Sequence, residues 1–303
     1  MKAIHIFIDV PIDFNFWRTV YSHGWCSLRP FSVDKENRML NRLLHLENDS
    51  LAFCQITAHN NSQLKINIQS KFPVNGTMQK QIRAKISTML RLDEDFAEFH
   101  RESRRYPRYR WISSMKVGRM LRAPSVFEDI IKMICTTNCS WSLTEIMTNN
   151  LIDEFGKSFE NSKQTFPSAE ALAGTTEQFL RKSIKTGYRS PFILEFATNV
   201  ANGKLNIEQW RNSPLATEVL YKELLNIKGV GMYAAGNILK LLGRYDFLGL
   251  DSWVRGQYYN LYHNGRVVSD KTIERLYKPF GRWRGLFFWL EMTKHWFKKE
   301  IPF

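Results

Sequence analysis

No run in this 303-residue chain approaches the roughly 20 consecutive apolar residues that a membrane-crossing helix needs. The apolar run near the start is broken by Asp9, which leaves it too short and too charged for a secretory signal. An intracellular protein is expected, in bacterial cytoplasm or in a nucleus. Cysteine is scarce: Cys26, Cys54, Cys135 and Cys139 include no C-x-x-C pair, and none follows residue 139. The spacing argues against a structural zinc or an iron–sulfur cluster and fits buried free thiols in a reducing compartment. There is neither an internal repeat nor a low-complexity segment. Acids are in deficit, with 29 Asp and Glu against 43 Lys and Arg, a net charge of +14. That balance favours a polyanionic partner, nucleic acid ahead of anionic membrane. A membrane-surface protein would carry a basic amphipathic helix with a clean apolar face, and the basic stretch 101–122 lacks one.

What is present is apolar and aromatic: 44% and 14% of the residues, enough for two or three domains with real cores. Segments 3–10, 27–33, 50–58 and 63–70 are rich in Ile, Val, Phe and Thr, and the pattern predicts strands, with Asn60-Asn61-Ser62 as a hairpin turn. Residues 13–24 read as a helix within this layer. From Met78 the period becomes helical, with Ile82, Ile86, Met89 and Leu90 on one side. The stretch 101–122 follows, eight basic residues interleaved with Tyr106, Tyr109 and Trp111, a link that can also touch a phosphate backbone or lie in solvent. Ser125 with Glu128 three residues on predicts a capping box, and helices run from there to the end. The class is α+β: an N-terminal antiparallel sheet, then a largely helical part.

The chain centres on residues 217–256. Two short amphipathic helices flank the turn Gly229-Val230-Gly231. Leu220, Leu224, Leu225 and Ile227 form the apolar side of the first. The glycines are expected where positive φ and close backbone approach are needed. The second helix opens with free N–H groups, an anion site that in a basic protein suits a phosphate. Gly243 stops it. Asp251 follows in an apolar run, Leu248-Gly249-Leu250, and reads as an N-cap. A carboxylate so close to a phosphate site gains little from structure alone, which makes it a candidate catalyst.

The hairpin LLNIKGVGMYAAGNIL with LGLDSWVR after it resembles the helix-hairpin-helix DNA glycosylases. Segments VGRMLRAPSVFEDIIKMICTTNCS, FPSAEALAG and KTGYRSPFI resemble 8-oxoguanine DNA glycosylase. DFNFWRTVYSHG and KPFGRWRGLFFWL are more similar to 3-methyladenine glycosylases of the AlkA type. The resemblance covers most of the chain, in the same order. It implies a β-sheet domain (1–92), a basic linker and helix packing with the C-terminal part (93–123), a helical domain ending in the hairpin (124–243), and a C-terminal helical subdomain carrying the catalytic acid (244–303).

It implies further that Asp251 assists hydrolysis of an N-glycosidic bond after the base has flipped into a pocket. Lyase members of the family carry a nucleophilic lysine where this chain has Tyr233, so water is the expected nucleophile. Tyr233, Asn237, Phe288 and Met292 are the implied base pocket, aromatic and sulfur-lined, suited to an alkylated purine. Asn138, Tyr188, Arg189, Lys228, Gly229, Val230 and Gly231 are the implied DNA contacts. A second family arginine is replaced by Leu143. Backbone carbonyls of Leu225, Ile227 and Val230 would hold a structural Na+ or K+, and no other cofactor is implied. The expectation is a monomeric, monofunctional glycosylase acting on double-stranded DNA that contains a damaged base. The alternatives are an oxidised-purine glycosylase/lyase and a damage-binding protein without catalysis.

Overall fold

Alternating apolar residues between positions 4 and 69 build β1 (Ile4–Asp9), β2 (Phe31–Asp34), β3 (Met39–His45), β4 (Leu51–Ala58) and β5 (Gln63–Gln69). The computed structural model describes residues 4–160 and 163–298; Ala3, the expected start of the first strand, lies outside them. The strands form one antiparallel sheet in the order β1-β5-β4-β3-β2. Its register sets Ile6, Ile66, Ile56 and Leu40 in one buried row across four strands. A slip of one residue would turn that row outward, so burial fixes the pairing. The β4–β5 turn falls at Asn60–Ser62, where the Asn60 side chain accepts the Ser62 N–H at 2.8 Å.

The sequence pattern predicts four strands, and β3 is the fifth. Met39, Leu40, Leu43 and Leu44 are spaced like one side of a helix and include no β-branched residue. The strand is covered on both faces: Leu40 and Leu44 enter the main core, while Leu43 packs against Phe53 and Phe159. Covering both faces removes the alternation that marks a half-buried strand.

The short helix α1 (Phe16–Val20) lies between β1 and β2, capped by Asn15. Helix α2 (Gly76–Leu90) turns Ile82, Ile86, Met89 and Leu90 into the core it shares with the sheet, the side its period predicts. Then come α3 (Ala97–Arg105), α4 (Arg110–Ser114), α5 (Val126–Thr136), α6 (Trp141–Phe155), α7 (Ala169–Ala173), α8 (Glu177–Lys182) and α9 (Ser190–Ala201). The last five are α10 (Thr217–Leu225), α11 (Met232–Leu241), α12 (Ser252–His263), α13 (Asp270–Tyr277) and α14 (Arg284–Met292). None of the described helices is long and apolar enough to cross a membrane.

The packing forms two main cores. One joins the sheet and α2 to α5, α6, α10 and α11. The other joins Phe96, Phe99, Tyr109 and Val117 to Tyr245, Ile273, Phe287 and Phe288, so the segment after α2 completes the C-terminal part. Here Glu291 accepts hydrogen bonds from the hydroxyls of Tyr109, Tyr277 and Tyr262 at 2.5, 2.6 and 2.7 Å.

Two polar expectations change. Ser125 does cap α5, accepting the Glu128 N–H at 3.3 Å, but Glu128 does not close a capping box. Its carboxylate turns into the sheet, where it accepts from the Arg42 guanidinium at 2.9 and 2.5 Å and pairs with Lys132 at 2.7 Å, all three buried. The second concerns the basic stretch. Arg119 and Arg122 are buried and bind Asp13, Glu94 and backbone carbonyls, and Tyr109 is core. The aromatic interleaving serves packing, because those rings fill the second core rather than a binding face.

Candidate active site

Asp251 is placed by the turn that follows α11. Gly243, at φ +87°, ends that helix, and the chain returns along it to Gly249, at φ +65°. A Cβ on Gly236 would stand 2.8 Å from the Gly249 Cα, so the return loop lies directly on the helix backbone. Asp251 then caps α12, its Oδ1 accepting the Val254 N–H at 2.8 Å. The cap uses one carboxylate oxygen on the helix end.

Asp251 borders a cavity of ≈ 970 Å³. Tyr233, Asn237, Gly249 and Trp253 line it from the same stretch of chain; Trp25, Trp141, Trp289 and Trp296 come from other parts. The Tyr233 hydroxyl lies within electrostatic reach of Asp251. Burial, and next the Asp251 carboxylate, push its pKa up to about 12. His23, also in the wall, is pushed down to about 4, chiefly by burial, and is therefore neutral at pH 7. One of its ring nitrogens is hydrogen-bonded to the Leu121 carbonyl at 2.5 Å.

Three of these tryptophans already have partners for their ring N–H groups within the protein. The Trp25 N–H donates to Asp129 at 2.8 Å, the Trp289 N–H to the Ser22 carbonyl at 3.0 Å, and the Trp141 N–H to Ser27 and Glu145 at 3.1 Å. Asn237 donates to the Tyr233 and Gly249 carbonyls at 3.0 and 3.3 Å and accepts from Lys240 at 3.1 Å. Its amide braces the loop, which replaces the expected contact with a base edge.

Phe288 and Met292 do not line this cavity. Phe288 is fully buried edge-on to Tyr277, and Met292 is 2% exposed in the same core. On α14 it is Trp289 that reaches the cavity, one residue round the helix from Phe288. The five tryptophans come from four separated regions of the chain, so no single motif announces them; an unusual tryptophan content, nine residues, is the one signal the sequence offers.

A second depression, ≈ 700 Å³, abuts the first, and Tyr233 and Gly249 line both. Lys228, Gly229, Val230 and Gly231 of the hairpin form one side; Asn138, at φ +46°, and Tyr188, 47% exposed, form the other. Gly231 is the N-cap of α11 and offers no capping side chain, which leaves the helix end suited to an anion. Gly229 has the expected positive φ, +86°, but Gly231 has an ordinary φ of −87°. Leu225 is 38% exposed, so it leaves the apolar side of α10 and faces this depression. Lys228 pairs with Glu195 at 2.8 Å on the surface. Arg189 is buried: its guanidinium donates to the carbonyl and hydroxyl of Thr137 and so supports the turn that carries Asn138, in place of the expected outward contact. The Ile227 carbonyl accepts the Val230 N–H at 3.0 Å across the hairpin turn.

No family model and no curated protein matches the chain. Its fold, in contrast, matches solved structures over nearly its whole length. A 3-methyladenine DNA-glycosylase from Archaeoglobus fulgidus superposes with a TM-score of 0.75 at 22% identity, over 96% of this chain and 99% of that one. MBOgg1, solved with a low-affinity DNA ligand, gives 0.75 at 21% identity, over 99% and 100%. An 8-oxoguanine glycosylase/lyase from Clostridium acetobutylicum, in its apo form, gives 0.67 at 19% identity, over 89% and 93%. Over that length the chain has the fold of these solved DNA glycosylases.

Proposed function

We propose that the protein is a monofunctional DNA glycosylase that flips an alkylated purine out of double-stranded DNA and hydrolyses its N-glycosidic bond. One observation carries the reading: Asp251 lines an aromatic cavity that adjoins a hairpin groove suited to phosphate, and the Trp25, Trp141 and Trp289 N–H groups of that cavity already have partners within the protein. Such walls stack on a base without reading its hydrogen-bonding edge, which favours an electron-poor, cationic base over an oxidised one. The N–H groups at the start of α11 hold a backbone phosphate, and carbonyls of Leu225, Ile227 and Val230 would hold a monovalent cation against the same phosphate. Asn138 and Tyr188 lie beside the strand that the flipped base leaves. As the base departs, Asp251 stabilises the developing oxocarbenium charge and orients the attacking water. Tyr233 offers no amine for a Schiff base, and the one lysine among the residues lining the cavity, Lys35, is exposed on the β2–β3 turn.

A panel of single-lesion duplexes, assayed for free base, tests the reading. Release of an alkylated purine is expected, together with a loss of about 10²-fold or more in Asp251→Asn at unchanged duplex affinity. A covalent adduct under borohydride would instead establish a glycosylase/lyase. No release from any lesion, with Asp251→Asn binding equally well, would leave a damage-binding protein.

A further inference from the structure

Helix α11 buries an amine that packing does not require. Lys240 is 0% exposed between Leu239 and Leu241, in a stretch that otherwise fills the main core. An ammonium withdrawn from water is heavily penalised unless the surroundings satisfy it. Here Nζ donates to the Leu248 carbonyl at 2.5 Å and to the Asn237 side-chain oxygen at 3.1 Å. The Asn237 amide in turn donates to the Gly249 carbonyl at 3.3 Å. Two successive carbonyls of the return loop are thus taken by one lysine–asparagine pair, and Asp251 is the next residue but one.

The room for this joint is set by glycine. A Cβ on Gly249 would stand 2.7 Å from the Lys240 Nζ and 2.9 Å from the Asn237 Nδ2. The ionised group that acts on Lys240 is Asp251; burial pushes the lysine down to about 7 and the carboxylate partly opposes that fall. Arg91, which also reaches this residue, binds its backbone carbonyl, at 2.6 Å, and not the ammonium.

We propose that Lys240 is a positioning residue for Asp251, fastening the 248–250 loop to α11 through Leu248 and Asn237 so that the carboxylate is held at the cavity. The inference rests on the glycosylase reading of that cavity. It also separates Lys240 from the role of a Schiff-base amine, since the side chain lies beneath the loop and does not line the cavity. A carboxylate displaced by about 1 Å from its working position is expected to lose on the order of 10²-fold in rate, which gives such a joint its value.

The test compares wild type, Lys240→Met and Lys240→Gln under single-turnover conditions, on whichever lesion the wild type releases. Affinity for an abasic duplex is measured alongside. The Met variant removes the donor, and the expected result is excision slowed at least tenfold while affinity stays within about twofold. The Gln variant, of the same length as Met but with a donor, is expected to recover most of the rate. Should the Met side chain prevent folding, Asn237→Ala removes the other half of the joint and carries the same expectation. A folded Met or Ala variant that excises at the wild-type rate, or that loses rate and affinity in equal proportion, overturns the role of Lys240 alone. A wild type that releases no base overturns the glycosylase reading, and the inference with it.

Discussion

At the scale of single residues, the position of Tyr233 carries a prediction that needs no knowledge of the preferred lesion. Its hydroxyl faces Asp251 inside the cavity. Tyr233→Lys would place an amine at that spot, so incubation with an abasic duplex and borohydride should yield a covalent adduct that the wild type does not form. A Lys variant that cannot be trapped would mean that this position does not face the sugar. His23 carries a prediction about pH. Its folded value, about 4, lies below the ordinary 6.5. The stability it contributes is therefore fully present above pH 6.5 and is lost as pH falls towards 4. The unfolding free energy of wild type minus His23→Gln should fall by about 3 kcal/mol between pH 7 and 4, as urea titrations would measure it. The place of Asp251 as the N-cap after the hairpin was legible because an acid twenty residues after a glycine hairpin is a pattern in one dimension. Phe288 and Met292 fell into the core and Trp289 into the cavity because a helix turns about 100° per residue, and sequence alone does not fix that phase.

At the scale of elements, the hairpin separates two glycines that look alike in sequence. Gly229 has φ +86°, and a Cβ there would stand 2.8 Å from the Phe192 ring. Gly229→Ala should destabilise the protein by about 1–3 kcal/mol in chemical denaturation. Gly231 has φ −87° and open space around the missing Cβ. Gly231→Ala should leave stability within about 0.5 kcal/mol of wild type and weaken DNA binding, because the added methyl would occupy the space the proposed function gives to a phosphate at the helix end. Equal stability losses in the two variants would refute this division of labour. The hairpin itself could be read from spacing, since its order is local. Strand β3 could not, because Phe159, which with the neighbouring-strand Phe53 buries Leu43, lies far along the chain.

At the scale of the whole molecule, the Arg42–Glu128–Lys132 cluster ties the sheet to the helical part. Glu128→Ala leaves two buried cations without their carboxylate and should cost about 3–5 kcal/mol, read from the shift of the urea midpoint at constant slope. A loss below about 1 kcal/mol would show that water reaches the cluster. Because one core contains both the sheet and the hairpin helices, that loss should appear in a single transition reported alike by far-UV dichroism and by emission. The cavity also makes the protein an optical instrument. Five of its nine tryptophans line the chamber that the proposed function assigns to the base, so a large share of the indoles stands where that base would stack. Entry of a flipped, electron-poor ring should quench their emission in step with insertion, and the time course of unlabelled protein mixed with unlabelled DNA would then resolve base capture from bond cleavage.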